Sequence, residues 1–276
     1  MIERIPRIAR AELATRFMRP GVPVILTRQM EGWGALGWTP EVLRQRVGSV
    51  VLPVQEGNME QEPTVLGAAC LRDYLDEILR PDGPTALRGR YMAQFELLAA
   101  CPELGTDLDF GAIFPPGRLL YRFGWIGPAG AVTGLHKDDS HNLLAQLYGR
   151  KRVLLFSPRN EPWIYPSRKY DYGARLSYVD AEAPDHARYP LFQNAEREEL
   201  ILAPGEMLFI PRGHWHQVRS LEPSISVSCF AQSYFEYLKT TPESLRWLAH
   251  KLRLLGVREG CTCHPQAGAR PDRGGR

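Results

Sequence analysis

The chain of 276 residues lacks several features that would assign it to a large class of proteins. It has no apolar run approaching the roughly 20 residues of a membrane-spanning helix. Its first residues, Met1 to Arg7, contain no apolar segment typical of a signal peptide. Lys and Arg number 34 and Asp and Glu 31, so the net charge of +3 does not indicate a nucleic-acid partner. We therefore expect neither a membrane nor a nucleic acid among its partners.

Cysteine is also scarce. The chain has five, an odd number without a regular framework, which indicates free thiols in a reducing compartment and predicts a cytoplasmic location. The tail, residues 257–276, is rich in Gly, Pro and Arg and is predicted to be disordered. Its Cys261, Cys263 and His264 offer only three ligands for a metal, and the sequence leaves their role open. The chain contains no Gly-rich phosphate-binding loop and no internal repeat.

The N-terminal part reads as a mixture of helices and strands. Residues 10–17 and 71–79 have helical apolar spacing, and residues 23–27 and 50–54 read as strands. Thr39 followed by Pro40 predicts the start of a further helix, which Gly48 ends.

From about residue 119 to 231 the chain consists of short apolar strands separated by Gly and Pro turns. This pattern is typical of a sandwich or barrel. Residues 159–199 form a long polar and aromatic connection, and connections of this length are often functional. Residues 241–256 read as a C-terminal helix with one apolar stripe, formed by Leu245, Leu248, Leu252 and Leu255. The stripe would either dock on the same chain or form a homodimer contact.

The strongest chemical pattern is His136-Lys137-Asp138 together with the distant His216. In a strand, residues i and i+2 point to the same face, so His136 and Asp138 could both face a metal. Two imidazoles and one carboxylate are the ligands of non-haem Fe(II) oxygenases. For the tripeptide alone, a surface loop is the alternative. The run 200–211, with its Pro-Gly turn, predicts a hairpin whose second strand delivers His216.

Several ordered motifs surround this pattern. They are Tyr91-Met92-Ala93-Gln94, residues 125–138, Asn142, Gln146, Gly149, Lys151, Ser157-Pro158, residues 204–211, Trp215-His216 and residues 226–228. Together they resemble the JmjC hydroxylases, which are Fe(II)- and 2-oxoglutarate-dependent oxygenases of the cupin superfamily. The resemblance spans roughly residues 3 to 238. It is nearest to the small stand-alone members similar to the asparaginyl hydroxylase of hypoxia-inducible factor.

This resemblance implies a mainly β fold with flanking helices, a double-stranded β-helix of the jelly-roll or cupin type. We expect the oxygenase domain, with its N-terminal α/β elaboration, to span residues 1–240. In the family the long insert lies near the substrate. Arg168, Tyr170, Tyr172 and Arg175 are therefore further rim candidates.

The resemblance also implies roles for individual residues. The family places the last metal ligand directly after Trp215, which selects His216 rather than His214, so the Fe(II) ligands are His136, Asp138 and His216. His141 would be a polar neighbour. The remaining assignments concern 2-oxoglutarate, which with O2 is the cosubstrate, and the substrate. Lys151 would bind the distal carboxylate of 2-oxoglutarate, and the hydroxyls of Thr133 and Tyr91 would donate to the same carboxylate. Asn142 would lie beside the iron-chelating end of 2-oxoglutarate, and Ser228 would also contact this cosubstrate. Gln94 and Trp125 would face the substrate.

Three functions follow as hypotheses. The first is hydroxylation of an aliphatic C–H in a protein or peptide side chain. The second is the same chemistry on a free amino acid or another small molecule. The third is a non-catalytic, metal-binding cupin-like module, which the intact set of site residues disfavours. N-demethylation stays open as a variant of the first.

Overall fold

The computed structural model describes residues 1–56, 65–80, 90–115, 117–167 and 174–233, together with Leu245, Ala249, Leu252 and Leu254. Its α-helices are α1 (Arg10–Glu12), α2 (Pro40–Val47), α3 (Leu71–Ile78) and α4 (Leu97–Ala100). Its strands are β1 (Glu3–Ile5), β2 (Val24–Leu26), β3 (Val51–Glu56), β4 (Val65–Cys70), β5 (Arg90–Glu96), β6 (Arg118–Gly127), β7 (Val132–Asp138), β8 (His141–Tyr148), β9 (Lys151–Phe156), β10 (Ala174–Leu176), β11 (Glu198–Leu202), β12 (Met207–Ile210), β13 (Trp215–Ser220) and β14 (Ser224–Ser233).

Of the four α-helices, α1, α2 and α3 begin where the sequence predicts, whereas α4 was not predicted. At α2 the Val42 amide donates to the Thr39 hydroxyl at 3.3 Å, and Pro40 is the first helical residue. α1 continues as a π-helical turn over Leu13–Met18, and this turn buries Leu13 and Phe17. The helices pack on the outside of the sheets and close the main hydrophobic core.

The strands form two sheets. The large sheet has nine strands in the order β1-β2-β12-β8-β14-β6-β5-β3-β4, and the small sheet has five in the order β10-β7-β13-β9-β11. From β6 to β9, and again from β11 to β14, the chain alternates between the two sheets. All strand pairs except β1–β2 are antiparallel. The expected mainly β jelly-roll architecture is confirmed.

The predicted hairpin over residues 200–211 is wrong. β11 pairs with β9 in the small sheet, whereas β12 pairs with β2 and β8 in the large sheet. At the Pro204-Gly205 turn the chain therefore crosses between sheets, because each strand finds its hydrogen-bonding partner in a different layer. His216 lies one strand later, on β13.

The described part of the long insert, within residues 159–199, packs mainly against the small sheet. Its residues Ile164, Val179 and Phe192 pack with Leu135 and Trp215 on the face of that sheet away from the large one. Among the described residues of the insert, only those of β10 adjoin the cleft described below, through Ala174 and Leu176. The expectation that the insert lies near the substrate thus fits β10 alone among the described residues. Arg175 is paired with Glu161 at 3.4 Å, and Arg168, Tyr170 and Tyr172 lie outside the described residues.

The predicted C-terminal helix and tail lie almost entirely outside the described residues. Within the helix only Leu245, Ala249, Leu252 and Leu254 are described, and the three leucines are exposed in the single chain. The homodimer contact and the proposed domain bounds therefore stay predictions. In the described ranges no helix is both long and apolar enough to cross a membrane.

Candidate metal centre

Three side chains that could hold a metal converge on the inner face of the small sheet. β7 and β13 are neighbours, with His136 paired in register with His216. The Nε2 atom of His136 lies 3.8 Å from Asp138 Oδ1, and that of His216 lies 3.5 Å from Asp138 Oδ2. All three residues are buried, and their ligand atoms lie within 4.8 Å of one another. The structure thus brings together the three residues that the sequence assigns to Fe(II).

Both histidines are held in the tautomer that a metal requires. The Nδ1 atom of His136 lies 2.8 Å from the Gly134 carbonyl, and that of His216 lies 3.1 Å from the His214 carbonyl. A carbonyl only accepts, so each Nδ1 carries a proton, and in the neutral ring each Nε2 keeps its lone pair. Burial, followed by the nearby His136 ring, lowers the pKa of His216 and favours its neutral form. Neutral imidazoles beside a carboxylate suit a divalent metal.

A β-bulge places Thr133 on the same side as the three candidate metal ligands. Between two consecutive pairs, His216 with His136 and Val218 with Thr133, β7 advances three residues while β13 advances two. In a regular strand Thr133 and His136 would face opposite sides, because their spacing is odd. The extra residue at Gly134-Leu135 turns Thr133 into the cleft.

The candidate metal ligands open into a cleft between the two sheets. All the residues that the sequence assigns to the site line it. The small sheet contributes Thr133, His136, Asp138, Lys151 and His216, and the large sheet contributes Tyr91, Gln94, Trp125, Asn142 and Ser228.

Lys151 provides a buried cation in this cleft. It is 2% exposed, and its Nζ donates to the Tyr91 hydroxyl at 3.1 Å and to Ser226 Oγ at 2.8 Å. Burial lowers the pKa of Lys151 to about 7. No carboxylate among the described residues bonds this ammonium group. A ligand carboxylate would supply the missing counter-charge.

Ser226 is a site residue that sequence reasoning missed. It lies two residues before Ser228 on β14, so both side chains point to the same face. The alternation Ser226-Val227-Ser228 carried the signal, but only Ser228 was assigned to the cosubstrate. In the structure it is Ser226 that contacts Lys151.

Further polar groups complete the cleft. Burial raises the pKa of the Tyr91 phenol, and a hydrogen bond with the Thr133 side chain opposes this rise. The Asn142 Oδ1 atom is buried and has no hydrogen-bond partner among the described residues. A divalent metal near Asn142 and a cation at Lys151 would together fit a ligand that carries anionic groups at both ends.

Gln94 and Trp125, the two residues that the sequence assigns to the substrate, lie on the neighbouring strands β5 and β6 of the large sheet. Gln94 is exposed and has a left-handed φ of 52°, where the register between β5 and β6 shifts. The Trp125 ring is tilted against Tyr91, with ring centroids 6.0 Å apart. Gln55 and Phe230 also line the cleft and were not predicted.

The two remaining nearby histidines have other contacts. His141 Nδ1 accepts from the Arg212 amide at 3.2 Å, and the His141 ring stacks on Phe209. The buried His214 contributes its carbonyl to His216. Neither side chain lines the cleft within the described part of the chain.

Comparisons with known proteins give consistent findings. Residues 10–237 match the family model described as a cupin-like domain. The chain is 32% identical over 254 residues to JmjC domain-containing protein D of Dictyostelium discoideum, covering 82% of this chain and 55% of that protein. It is 32% identical to Lysine-specific demethylase 8 of Danio rerio (82% and 58%) and 33% identical to Jumonji C domain-containing protein 5 of Drosophila melanogaster (79% and 56%). The chain thus spans about half the length of these curated relatives.

Proposed function

The chain belongs to the family of cupin-like JmjC domains, and from this premise we propose that it is an Fe(II)- and 2-oxoglutarate-dependent oxygenase. Its reaction would be hydroxylation of an aliphatic C–H group in a protein or peptide side chain. One observation carries the proposal: a two-histidine, one-carboxylate cluster and a buried lysine line the same cleft.

The donor set fits Fe(II). His136, Asp138 and His216 would hold the metal through two imidazole nitrogens and a carboxylate oxygen. When bound, Fe(II) with 2-oxoglutarate and O2 supplies the oxidising power for C–H hydroxylation, and succinate and carbon dioxide are the coproducts. The carbonyls of Gly134 and His214 fix the imidazole tautomers before the metal arrives.

The remaining side chains would bind and orient 2-oxoglutarate. Lys151 would neutralise the distal carboxylate, while the hydroxyls of Tyr91 and Thr133 would set its orientation. Ser226 would hold the ammonium group of Lys151 in place, and the unsatisfied Asn142 would contact the end of the cosubstrate near the metal.

The walls of the cleft would control what reaches the metal. Leu144, Ile210 and Val218 supply apolar surface around the ligands and would limit the access of water. Gln94 and Trp125, on the large sheet, would contact the substrate. A peptide substrate is supported by the names of relatives such as Lysine-specific demethylase 8.

N-demethylation is the second candidate, and the name of the same relative favours it. Demethylation starts with the same C–H hydroxylation, applied to an N-methyl group, and the product then releases formaldehyde. The two candidate reactions would therefore use the same metal and cosubstrate residues. They differ in the chemical group of the substrate that would contact Gln94 and Trp125.

The test is succinate formation by the purified protein with Fe(II), ascorbate, 2-oxoglutarate and O2, alone and with a peptide library. His136→Ala is the control. Turnover that depends on His136 and rises with a peptide fraction supports the proposal. In mass spectra of that fraction, a gained oxygen atom indicates hydroxylation, and a lost methyl group with formaldehyde indicates demethylation.

Two other outcomes contradict the protein-substrate proposal. Turnover that rises with free amino acids but not with peptides would assign a small-molecule substrate. If neither Fe(II) nor 2-oxoglutarate binds, the chain would be a cupin-like module without this chemistry.

A further inference from the structure

We propose that Gln217 is a positioning residue for the metal centre, acting through its neighbour His216. It does so by tying β13 to residues 174–182, which we call the strap. The inference rests on the metal site proposed above. It concerns a side chain on the opposite face of the small sheet, away from the cleft.

Both ends of the Gln217 amide are hydrogen-bonded to the strap. Its Nε2 donates to Asp180 Oδ1 at 2.8 Å, and its Oε1 accepts from the Ala181 amide at 2.9 Å. Gln217 is 1% exposed. A buried amide with both ends paired holds its strand firmly, because breaking either bond would leave a polar group unsatisfied.

The strap also holds the strand that carries the other two ligands. Its first residues form β10, which pairs with β7 in a register that sets Ala174 opposite Asp138 and Leu176 opposite His136. The amide of Ser177 donates to the Leu135 carbonyl at 2.8 Å, at the bulge itself. One segment therefore contacts both ligand-bearing strands.

The tie matters because the direct ladder between β7 and β13 is interrupted at this point. The register shift falls between His216 and Val218, and Gln217 is the residue between them. A bulge disrupts the local hydrogen-bond ladder. The strap replaces the missing constraint and fixes how far His216 lies from His136.

The strap is anchored well enough to serve as this reference. The Glu182 carboxylate accepts from the side chains of Arg152 on β9 and Arg219 on β13. The buried Ser177 hydroxyl donates to the Ile164 carbonyl and accepts from the Val179 amide.

The test compares metal binding in Gln217→Leu and wild-type protein, with Co(II) as an oxygen-stable probe under anaerobic conditions. Co(II) affinity is measured by calorimetry, and the ligand geometry is followed by visible absorption. We expect Gln217→Leu to bind Co(II) about tenfold more weakly and with a shifted spectrum, as found for residues that orient metal ligands.

Asn160→Leu is the matched control. Asn160 is a buried amide in the same outer layer; its Oδ1 accepts from the Glu196 amide at 2.8 Å and its Nδ2 donates to the Ser157 carbonyl at 3.3 Å. Its loss should lower the melting temperature comparably but leave Co(II) affinity and spectrum unchanged.

A second pair of variants covers the case in which the leucine variant does not fold. Gln217→Glu places a carboxylate against Asp180 and should weaken Co(II) binding. Adding Asp180→Asn removes the repulsion between the two carboxylates and restores the original net charge. The double variant should therefore regain most of the affinity.

The outcomes separate this inference from the proposed function. Wild-type affinity and an unchanged spectrum in Gln217→Leu, with only a lower melting temperature, would overturn the positioning role. Equal losses in Asn160→Leu would also overturn it, because the effect would then be general destabilisation. Absence of Co(II) binding by the wild type would instead overturn the metal site itself.

Discussion

At the scale of single residues, the central fact is that Lys151 is buried without a counter-ion among the described residues. Its two hydrogen bonds go to neutral hydroxyls, of Tyr91 and Ser226. Burying an ammonium group costs stability unless an anion pairs with it. The buried ammonium group therefore lowers the free energy of unfolding of the ligand-free protein, and a bound carboxylate would remove this loss.

Replacing Lys151 with Met should therefore stabilise the ligand-free protein while abolishing 2-oxoglutarate binding. The pKa of Lys151 is lowered from 10.5 to about 7, so the unfolded chain binds a proton that the folded chain releases between these values. The free energy of unfolding therefore decreases as pH falls from 10.5 towards 7, and the full decrease is present below about pH 7. We expect Lys151→Met to melt a few degrees higher at neutral pH.

Thermal denaturation at several pH values measures this effect. The advantage of Lys151→Met should shrink as pH rises towards 10.5, the value at which the unfolded lysine also loses its proton. A variant that melts below wild type at neutral pH would mean that the two hydrogen bonds of Lys151 outweigh its desolvation.

The affinity for 2-oxoglutarate should fall as pH rises above about 7, because only the charged form of Lys151 pairs with the distal carboxylate. Calorimetry in buffers of different ionisation enthalpy, with Co(II) bound, should show proton uptake on binding at mildly alkaline pH. Lys151→Arg is the control, since arginine stays charged throughout this range. Binding without proton uptake by the wild type would contradict the expectation.

The resemblance carried by the sequence motifs identified most of this cleft, and the exceptions have physical reasons. Ser226 was missed because two serines on one strand face are equivalent until the position of Lys151 is known. Gln55 was missed because it lies on β3, which is far from the motifs in sequence and meets β5 only through tertiary pairing. Gln217 gave no signal, since its partners belong to the strap.

At the scale of the elements, turns and bulges decide which side chains reach the cleft. Strand alternation predicted that His136 and Asp138 share a face, but it gives no reason for Thr133 to join them. The bulge at Gly134-Leu135 does this, and no period-two pattern encodes it. Alternation likewise did not reveal that the turn at Pro204-Gly205 changes sheets.

Gly149, in the turn between β8 and β9, should be needed for the position of Lys151. Its φ of 67° is in the left-handed region, and an added Cβ would collide with the Pro223 carbonyl. Because the colliding atom belongs to the backbone, the turn itself must shift. We expect Gly149→Ala to lower the free energy of unfolding by about 2 kcal/mol or more.

Chemical denaturation of Gly149→Ala measures this loss, and Gly37→Ala is the matched control. Gly37 has no atom within 4 Å of the added Cβ and does not have a left-handed φ. Its substitution should change stability little. Equal stability of both variants would show that the turn accommodates a side chain.

At the scale of the whole molecule, the two sheets contribute different groups to the cleft. The three candidate metal ligands come from the small sheet, while Tyr91, Asn142 and Ser228 come from the large sheet and line the same cleft. The short strands and turns predicted a sandwich or barrel, and the family resemblance narrowed this prediction to the jelly-roll class. It did not predict that the long insert would cover the outer face of the small sheet, because that contact depends on apolar residues that meet only in three dimensions.

This division predicts that metal and cosubstrate stabilise the protein in distinguishable ways. A metal would connect only β7 and β13, whereas 2-oxoglutarate would contact groups on both sheets and so oppose their separation. A ligand at 100 times its Kd adds about 2.7 kcal/mol to the free energy of unfolding. We expect Co(II) alone to raise the melting temperature, and 2-oxoglutarate to raise it further only when Co(II) is present.

Two variants separate the increase in melting temperature caused by Co(II) from the increase caused by 2-oxoglutarate, in thermal melts under anaerobic conditions. Asp138→Ala should lose both, because without the metal 2-oxoglutarate keeps only its contacts at the Lys151 end. Lys151→Met should keep the Co(II) increment and lose the 2-oxoglutarate increment, since Lys151 bonds Tyr91 and Ser226 and, among the described residues, none of the candidate metal ligands. A full 2-oxoglutarate increment in Lys151→Met would mean that another cation binds the distal carboxylate. The cleft would then hold its cosubstrate in a different orientation from the one that the buried lysine indicates.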